Sequence, residues 1–412
     1  MASSDLPSRT VKPKHDESRT MKAIAWMGKK SVHVSDKPVP LITDPHDAII
    51  KVTATAICGS DLHIFVNAMP GMTKGDILGH EFMGIVQEVG PEVTKFKPGD
   101  KVVACFDLGC GQCFYCKRGL WSCCQVTNPS KEQEAMYGDR TAGMHGYSAM
   151  TGAYEGGQAE YARVIFADVN LLKVPNDAAD EKYLFLSDIL PTAWHATELG
   201  EVSEGDTVAI WGAGPVGILA AHCAAARGAK RIIMVDNQTY RLDFATSKIP
   251  GLETVNFGEK KVMETLKEMT GGHGPDVAIE AVGFHYCKSW THAIETALML
   301  ETDPSEMLNE MIVSVRKGGR ISIVGVYAGF TNHFNIGAFM EKQLTMRGGQ
   351  TPVQKYWHDL KTLIDKGVLD PTMVLTHTLP LDQGPEGYKI FNDKTDGCVK
   401  VVLKPQLMAA GA

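Results

Sequence analysis

The chain has 412 residues, of which 44% are hydrophobic and 22% are charged. These fractions are close to globular averages and argue against a disordered, fibrous or membrane-embedded chain, so we expect a soluble protein of two or three domains. The formal net charge of -7 provides no basic surface for phosphate backbones, so the expected partner is a small molecule rather than a nucleic acid.

The first twenty residues are polar and lack the apolar segment of a signal peptide. We therefore predict that residues 1–20 are a flexible tail outside the fold. Ten cysteines are too few for a disulfide scaffold, and seven of them fall between residues 58 and 124. This clustering indicates metal ligation in a reducing compartment, and we expect a cytoplasmic protein.

Two patterns divide the rest of the chain. From Met21 to about Asp188, short alternating strands such as AIIKVTATAI and DKVVAC are separated by turn residues, which predicts a mostly β unit. From about Ile189 to Thr345, the strands TVAIW, RIIMVD, DVAIEAVG and RISIVGV alternate with helical stretches, which predicts a parallel, doubly wound sheet. The short strands of residues 346–404 are expected to rejoin the first unit.

The segment before the last of these strands is longer than one connecting helix needs. In DPSEMLNEMIVSV, Asp303 is predicted to cap a helix that begins at Pro304 and places Met307, Met311 and Val315 on one face. The preceding residues predict either an additional helix or simply a longer crossover. The apolar run 208–226 contains three glycines and a proline, so it is interpreted as a strand, a turn and a buried helix rather than a membrane span.

Closely spaced thiols provide the strongest metal signal. Cys110, Cys113 and Cys116 are followed by the adjacent pair Cys123 and Cys124, so four thiolates can surround one tetrahedral ion. Zinc suits four thiolates and then has no open position, which predicts a structural site. An iron–sulfur cluster, which can use similar thiols, is the less favoured alternative.

A second set of potential ligands is dispersed along the chain. Cys58, His80 and one further anionic group would provide the three ligands of a catalytic zinc, which keeps its fourth position open. Each residue alone is more often a buried structural residue than a ligand. Their order before a nucleotide-binding pattern favours the metal site.

The nucleotide-binding pattern is a glycine-rich turn. Gly212, Gly214 and Gly217 follow the strand TVAIW and open a helix near Pro215, where the helix N-terminus and close backbone approach favour a pyrophosphate. Asp236 ends the next strand. Its carboxylate is expected to accept hydrogen bonds from ribose hydroxyls and to repel a 2′-phosphate, which favours NAD over NADP, although Arg241 could weaken that preference.

In this order, the three features resemble the zinc-dependent medium-chain dehydrogenase/reductase family over residues 21–404. The stretches GGQAEYARV, NLLKVP, LSDILPTAWH and GGQTPVQKYW are most similar to the glutathione-independent formaldehyde dehydrogenase branch. The resemblance implies an α/β protein with a GroES-like, mostly β catalytic domain at 21–188 that carries a structural zinc lobe at 105–125. It also implies a Rossmann NAD-binding domain at 189–345, a return to the catalytic domain with a C-terminal tail at 346–412, and a homodimer or homotetramer.

The resemblance also implies two zinc ions per chain. Cys58, His80 and Asp188 match the ligands of the catalytic zinc, with Glu81 as an alternative third ligand. Cys124 becomes the fourth ligand of the structural zinc. Asp61 matches the carboxylate that orients the catalytic site.

The remaining roles concern proton transfer and the cofactor. Ser60 matches the hydroxyl that takes the substrate proton, and His63 matches the imidazole that passes it on through the cofactor ribose. The resemblance assigns further positions to the nicotinamide and adenine ends of the dinucleotide, and Lys400 is expected to reach a phosphate. These positions are Thr192, Pro215, Val216, Val282, Gly283, Val324, Gly325, Val326 and Lys400.

The predicted activity is hydride transfer between NAD and an alcohol or a small aldehyde, the aldehyde reacting as its hydrate. Two alternatives remain open: an aldehyde dismutase that retains its NAD, and a non-catalytic cofactor-binding member of the fold. Phe65, Met136, Tyr137 and Trp194 are interpreted either as lining the substrate pocket or as ordinary core residues.

Overall fold

The computed structural model describes residues 13–66, 69–283, 305–327 and 329–407. It contains two compact units: one ends at Pro191 and resumes at Pro352, and the other comprises Thr192–Thr351. The boundaries expected from the sequence, after residues 188 and 345, lie close to these two breaks.

Strands and helices alternate along the described residues and are numbered in chain order. The strands are β1 (Lys14–Gly28), β2 (Ser31–Leu41), β3 (Ala48–Ile57), β4 (Glu81–Val89), β5 (Lys101–Ala104), β6 (Asp107–Leu108), β7 (Gly143–Met144), β8 (Tyr161–Val164), β9 (Leu171–Lys173), β10 (Thr207–Trp211), β11 (Arg231–Asp236), β12 (Glu253–Asn256), β13 (Val277–Glu280), β14 (Arg320–Ile323), β15 (Thr345–Gly348), β16 (His377–Pro380) and β17 (Val401–Lys404). The helices are α1 (Gly59–Phe65), α2 (Lys131–Tyr137), α3 (Ala167–Asn170), α4 (Asp180–Leu184), α5 (Ile189–Leu199), α6 (Pro215–Ala226), α7 (Thr239–Lys248), α8 (Val262–Met269), α9 (Glu306–Ser314), α10 (Ile336–Glu341), α11 (Val353–Asp365) and α12 (Gly384–Asp393).

The main sheet of the first unit has the order β16-β17-β3-β4-β5-β9, and β8 also pairs with β3. Strand β3 has the predicted bounds and lies between β4 and β17. In this register Ile57 pairs with Val401, and Ala56 pairs with Glu81. The end of β3 therefore lies beside the starts of β4 and β17. The candidate metal ligands are positioned at this point.

The N-terminal prediction is wrong for residues 14–20, because β1 begins at Lys14 and pairs antiparallel with β2. Most side chains of this stretch are exposed, so no buried face imposes the alternation of apolar residues that predicts a strand. Backbone pairing, from Lys14 with Leu41 to Asp16 with Val39, provides its order instead. Residues 1–12 lie outside the described part of the chain.

The second unit contains the predicted parallel sheet, with the order β12-β11-β10-β13-β14-β15. Strands β10 and β11 have the predicted bounds, and their alternate residues Ala209, Trp211, Ile233 and Val235 are buried in one hydrophobic core. Every neighbouring pair is parallel. The strand order reverses beside β10, and crevices at such points bind ligands at the carboxyl ends of the strands.

Two C-terminal expectations need correction. Strand β15 belongs to the parallel sheet, so that sheet extends past residue 345. The part that rejoins the first unit contains the amphipathic helices α11 and α12 as well as strands β16 and β17. Tyr356, Trp357 and Leu360 lie on the buried face of α11, a spacing of three to four residues that is typical of a helix and not of a short strand.

The predicted helix around residues 304–315 is confirmed as α9, which buries Met307, Leu308, Met311 and Ile312. The helix begins at Glu306 with Ser305 as its N-cap residue, two residues later than predicted. Asp303, the predicted N-cap, and Pro304, the predicted first helical residue, lie outside the described residues, as does the segment before them. Within the described ranges, no helix combines the length and apolarity needed to cross a membrane.

Candidate catalytic and cofactor sites

Cys58 lies at the junction between β3 and α1, where it is the N-cap residue of the helix. Its backbone amide donates to Asp61 Oδ2 at 2.9 Å. The carboxylate of Asp61 also accepts a 3.1 Å bond from Gln158 Nε2, and Tyr388 donates to Gln158 Oε1 at 2.8 Å. This buried chain of hydrogen bonds holds Asp61 rigidly beside the thiol.

His80 is oriented by two carboxylates. Its Nδ1 lies 3.3 Å from Asp61 Oδ1, and its Nε2 lies 3.3 Å from Asp188 Oδ2. The side chain is 1% exposed. Burial alone would lower the pKa of His80, but the neighbouring carboxylates raise it well above its usual value. Asp61 thus occupies the predicted orienting position, with Nε2 directed towards Asp188.

Asp188 completes a cluster of potential ligands. It follows the tight turn Phe185–Ser187, which Trp357 braces through a 2.8 Å bond from Nε1 to the Leu186 carbonyl. Cys58 Sγ lies 3.6 Å from Asp188 Oδ2. One potential ligand atom from each of Cys58, His80, Glu81 and Asp188 lies within 4.8 Å of the others, and all four residues are buried.

Glu81 and Lys400 form a buried ion pair, with 2.6 Å between Glu81 Oε2 and Lys400 Nζ and no exposed surface on either side chain. The prediction that Lys400 reaches a cofactor phosphate is therefore wrong. Its ammonium group is enclosed in the first unit, because β17 pairs with β3 and brings Lys400 to the start of β4. Glu81 lies in the predicted cluster, but its carboxylate is ion-paired with Lys400.

Two aromatic rings flank His80. The Phe106 and Tyr147 ring centroids lie 6.3 Å and 6.1 Å from the imidazole centroid, each in an edge-on arrangement. Sequence reasoning missed both residues, since an isolated aromatic residue carries no signal of its surroundings. Of the aromatic residues it did consider, Phe65 is buried against Tyr388, whereas Tyr137 is 48% exposed.

The predicted relay residues share helix α1. Ser60 is partly buried, and its Oγ lies 3.8 Å from Cys58 Sγ, whereas His63 is 7% exposed. Residues three apart lie on the same side of a helix, so the two side chains project in similar directions. Their roles in proton transfer remain a prediction.

The chemistry of the cluster fits a divalent zinc ion. Burial raises the pKa of the Cys58 thiol to about 11, and a cation bound beside it would favour the thiolate form at neutral pH. Within the described part of the chain, Glu81 Oε1 is buried without a hydrogen-bond partner. Cysteine, histidine and aspartate are zinc ligands, and a bound cation would offset the cost of burying the Cys58 thiolate beside the Asp188 carboxylate.

A separate lobe contains the four predicted thiols. Cys110, Cys113, Cys116 and Cys124 are buried, and their sulfur atoms lie within 4.8 Å of one another. The amide of Cys113 approaches Cys110 Sγ at 3.3 Å. The adjacent Cys123 is outside this group and partly exposed, which agrees with Cys124 as the fourth ligand.

The glycine-rich turn has the geometry of a pyrophosphate-binding turn. Gly212 has φ +106°, and a Cβ on Gly217 would lie 1.9 Å from the Gly212 carbonyl oxygen. A Cβ on Gly214 would meet nothing within 4 Å. Gly214 caps α6 without a side-chain hydrogen bond, and Pro215 and Val216 begin the helix. The first amides of a helix have no partner within the helix, so this start can bind an anion.

Asp236 stands at the end of β11, beside this turn. Its Oδ2 accepts the Ala213 amide at 2.7 Å, and its Oδ1 accepts the Asn237 and Gln238 amides at 2.7 and 2.8 Å. Arg241 is 9% exposed and donates from Nε to the Tyr240 hydroxyl at 2.9 Å. The guanidinium group is therefore packed onto Tyr240.

Most of the remaining predicted cofactor positions follow strands of the same sheet. Val282 and Gly283 follow β13, and Val324, Gly325 and Val326 follow β14. Parallel strands present their carboxyl ends at one edge, so the structure brings these residues to the edge that also carries the glycine-rich turn. Thr192 lies instead on helix α5.

Comparison with known protein families assigns both parts of the chain. Residues 44–176 match the alcohol dehydrogenase GroES-like domain, and residues 215–297 match the zinc-binding dehydrogenase family. The first range contains the predicted cysteine ligands, and the second begins within the glycine-rich turn.

Individual relatives span nearly the whole chain. A zinc-type alcohol dehydrogenase-like protein of Schizosaccharomyces pombe is 44% identical, with 96% of this chain and 94% of the relative covered. A glutathione-independent formaldehyde dehydrogenase of Pseudomonas aeruginosa is 34% identical, with 90% and 94% covered. The structure of an alcohol dehydrogenase from Thermus sp. ATN1 is also 34% identical, with a TM-score of 0.78 and coverage of 93% and 99%. The chain therefore belongs to the zinc-type alcohol dehydrogenase family.

Proposed function

We propose that this enzyme is a zinc- and NAD-dependent dehydrogenase that oxidises a small alcohol or the hydrate of a small aldehyde. The observation that carries this proposal is the buried cluster of Cys58, His80 and Asp188, with Asp61 orienting the imidazole. Such a set provides three zinc ligands of suitable chemistry and a hydrogen-bonded carboxylate behind the histidine.

We assign the third ligand to Asp188 rather than to Glu81. Asp188 Oδ2 lies close to both Cys58 Sγ and His80 Nε2, at 3.6 and 3.3 Å. Glu81 Oε2 is instead paired with Lys400 at 2.6 Å. Coordination by three protein groups keeps a position open for substrate, whereas a fourth protein ligand would close the site.

Bound zinc supplies Lewis acidity that lowers the pKa of a substrate hydroxyl, and NAD supplies the hydride acceptor. We assign to Ser60, whose Oγ lies 3.8 Å from Cys58 Sγ, the acceptance of the hydroxyl proton as it passes its own proton onward. His63, on the same side of α1, then takes the proton towards solvent. General acid–base assistance of this kind contributes about 10²–10⁴-fold to rate.

The substrate is proposed to be small. Phe106 and Tyr147 pack edge-on against His80, and both side chains are buried, so they limit the space beside the metal ligands. The similarity to a formaldehyde dehydrogenase that needs no glutathione agrees with short aldehydes. An aldehyde hydrate carries the same H–C–OH arrangement as an alcohol, so the same groups can serve both substrates.

The cofactor is proposed to be NAD rather than NADP. The open space at Gly214 and the uncapped start of α6 suit a pyrophosphate, as does the close approach of Gly217 to Gly212. The Asp236 carboxylate favours ribose hydroxyls and disfavours a 2′-phosphate. Because the Arg241 guanidinium packs onto Tyr240, it is not expected to offset this preference.

The test combines metal analysis with a substrate panel. We expect two zinc ions per chain and NADH formation with short alcohols and aldehydes, with no requirement for glutathione. Aldehyde conversion to alcohol plus acid without added NAD would identify a dismutase that retains its cofactor. A metal-free protein, or one that is inactive across the panel while fully loaded with zinc, would refute the proposal. The predicted homodimer or homotetramer can be checked by light scattering on the same sample.

A further inference from the structure

Glu280 is a fully buried acid that the proposed chemistry does not use. It is the last residue of β13, where it pairs with Trp211 of β10 and Ile323 of β14. Its side chain therefore lies in the middle of the parallel sheet, at the carboxyl edge. Burial raises the pKa of this carboxyl, although three backbone amides oppose that effect.

The carboxylate connects the loops that follow two neighbouring strands. Oε1 accepts the amides of Val282 and Gly283, both at 2.7 Å, and Oε2 accepts the amide of Gly325 at 3.0 Å. The Glu280 carbonyl oxygen also accepts the Val324 and Gly325 amides, at 3.1 and 3.2 Å. One residue thus fixes the loop after β13 against the loop after β14.

Close backbone packing leaves these loops little freedom. A Cβ on Gly325 would lie 2.1 Å from Glu280 Oε2, and a Cβ on Gly283, where φ is +82°, would lie 2.5 Å from the Val326 carbonyl oxygen. The glycine-rich turn abuts the same loop, because a Cβ on Gly212 would lie 2.7 Å from Val282 Cγ2. Displacing the 282–283 loop would therefore also disturb the turn.

A carboxylate is the side chain that suits this position. Three amide donors converge on it, and its two oxygens offer about four lone-pair sites. Glutamine has the same shape, but an NH₂ group replaces one of the two oxygens. This NH₂ group would face the Gly325 amide, so two hydrogen-bond donors would meet without an acceptor. Aspartate keeps the charge but is one methylene shorter than the observed contacts require.

We propose that Glu280 is a positioning residue for the dinucleotide, acting through the 282–283 and 324–326 loops. This inference rests on the proposed function, because it assigns those loops to NAD. Glu280 itself is not a catalytic residue. Glu280 holds the backbone of these loops in the arrangement that binds NAD before the cofactor arrives. Binding then loses less conformational entropy, because the loops are already ordered.

The test is Glu280→Gln, measured by NADH titration and steady-state kinetics. Loss of one charge-assisted hydrogen bond, with a repulsive donor pair in its place, is expected to raise the Kd for NADH and the KM for NAD by about tenfold or more. At saturating NAD, kcat should change much less, and zinc content should stay at the wild-type value.

Glu253→Gln provides the matched control. Glu253 begins β12 at the amino edge of the same sheet and pairs with Arg231 through two 2.9 Å bonds. The Glu253→Gln variant should bind NADH with the same affinity as the wild-type protein. An unchanged affinity in Glu280→Gln would overturn the proposal, as would an equal loss of affinity in both variants, which would indicate general destabilisation.

A second variant covers the case in which Glu280→Gln does not fold. Gly325→Ala retains the carboxylate but forces a methyl group against it, so folded Gly325→Ala should show the same loss of NADH affinity. Wild-type affinity in that variant would overturn the proposal. Failure of the wild-type protein to bind NADH would instead refute the proposed function, and the two failures are therefore distinguishable.

Discussion

Removing the ammonium group of Lys400 should destabilise the protein far more than removing a comparable surface charge. Lys400→Met leaves the Glu81 carboxylate buried without its counter-ion, because both side chains have no exposed surface and lie 2.6 Å apart. Breaking such a pair costs about 3–5 kcal/mol. For a unit of this size, the melting temperature should fall by about 6–20 °C.

Lys173→Met is the matched control. Lys173 Nζ also lies 2.6 Å from a carboxylate oxygen, Asp100 Oδ1, in the same unit, but the lysine side chain is 54% exposed. Solvent screens that pair, so its loss should cost about 0–1 kcal/mol. The assay is thermal and denaturant unfolding of both variants, with zinc content measured on the same samples.

The double variant Lys400→Met/Glu81→Gln tests the cause of the loss. Neutralising Glu81 removes the orphaned charge, so the double variant should recover most of the stability that Lys400→Met loses. In the single variant we also expect the released Glu81 carboxylate to enter the metal site, which lowers activity while zinc is retained. If Lys400→Met were no more destabilising than Lys173→Met, the argument from burial would be refuted.

Four further outcomes are expected. Asp188→Ala should abolish turnover and lower zinc content to about one per chain, since a catalytic zinc needs three protein ligands; full activity would exclude Asp188 as a ligand. Cys124→Ser should lose the other zinc and lower the melting temperature, whereas Cys123→Ser should keep both ions; the reverse result would exchange their roles. Asp236→Ser should raise kcat/KM for NADP relative to NAD by about 10- to 100-fold, about 1.4–2.7 kcal/mol, and an unchanged ratio in cofactor kinetics would contradict the ribose assignment. Burial lowers the pKa of His145 to about 4, so the imidazole takes up a proton at higher pH in the unfolded state than in the folded state. The free energy of unfolding should therefore fall by up to about 3 kcal/mol as pH drops from 6.5 to 4. Unfolding of His145→Gln measured over the same pH range should show a smaller loss of stability, and a loss equal to that of the wild type would refute this assignment.

Local patterns were sufficient for several features. Strands β3, β10 and β11 have the bounds expected from their residues, since each has a mostly buried run between turn residues. The four-cysteine site and the glycine-rich turn were also predictable, because their members are close in sequence and their spacing restricts the geometry. Charge and composition, which depend on no contacts, indicated a small-molecule partner.

Other features depend on strand pairing between distant segments. The strand over residues 14–20 depends on backbone pairing of residues 14–16 and 20 with β2, which leaves no trace in the pattern of side chains. The role of Lys400 was predicted wrongly, because the sequence does not reveal that β17 pairs with β3 and buries the lysine against Glu81.

The sequence by itself determined which chemical groups are available: the thiols, the imidazole, the carboxylates and the glycines of the turn. Only the tertiary structure decided which buried charges compensate one another, as Glu81 and Lys400 do, and which amides converge on Glu280. The physical reason is that the energy of a charge or a donor depends on burial and on neighbours a few ångströms away. Those neighbours come from strands that are remote along the chain.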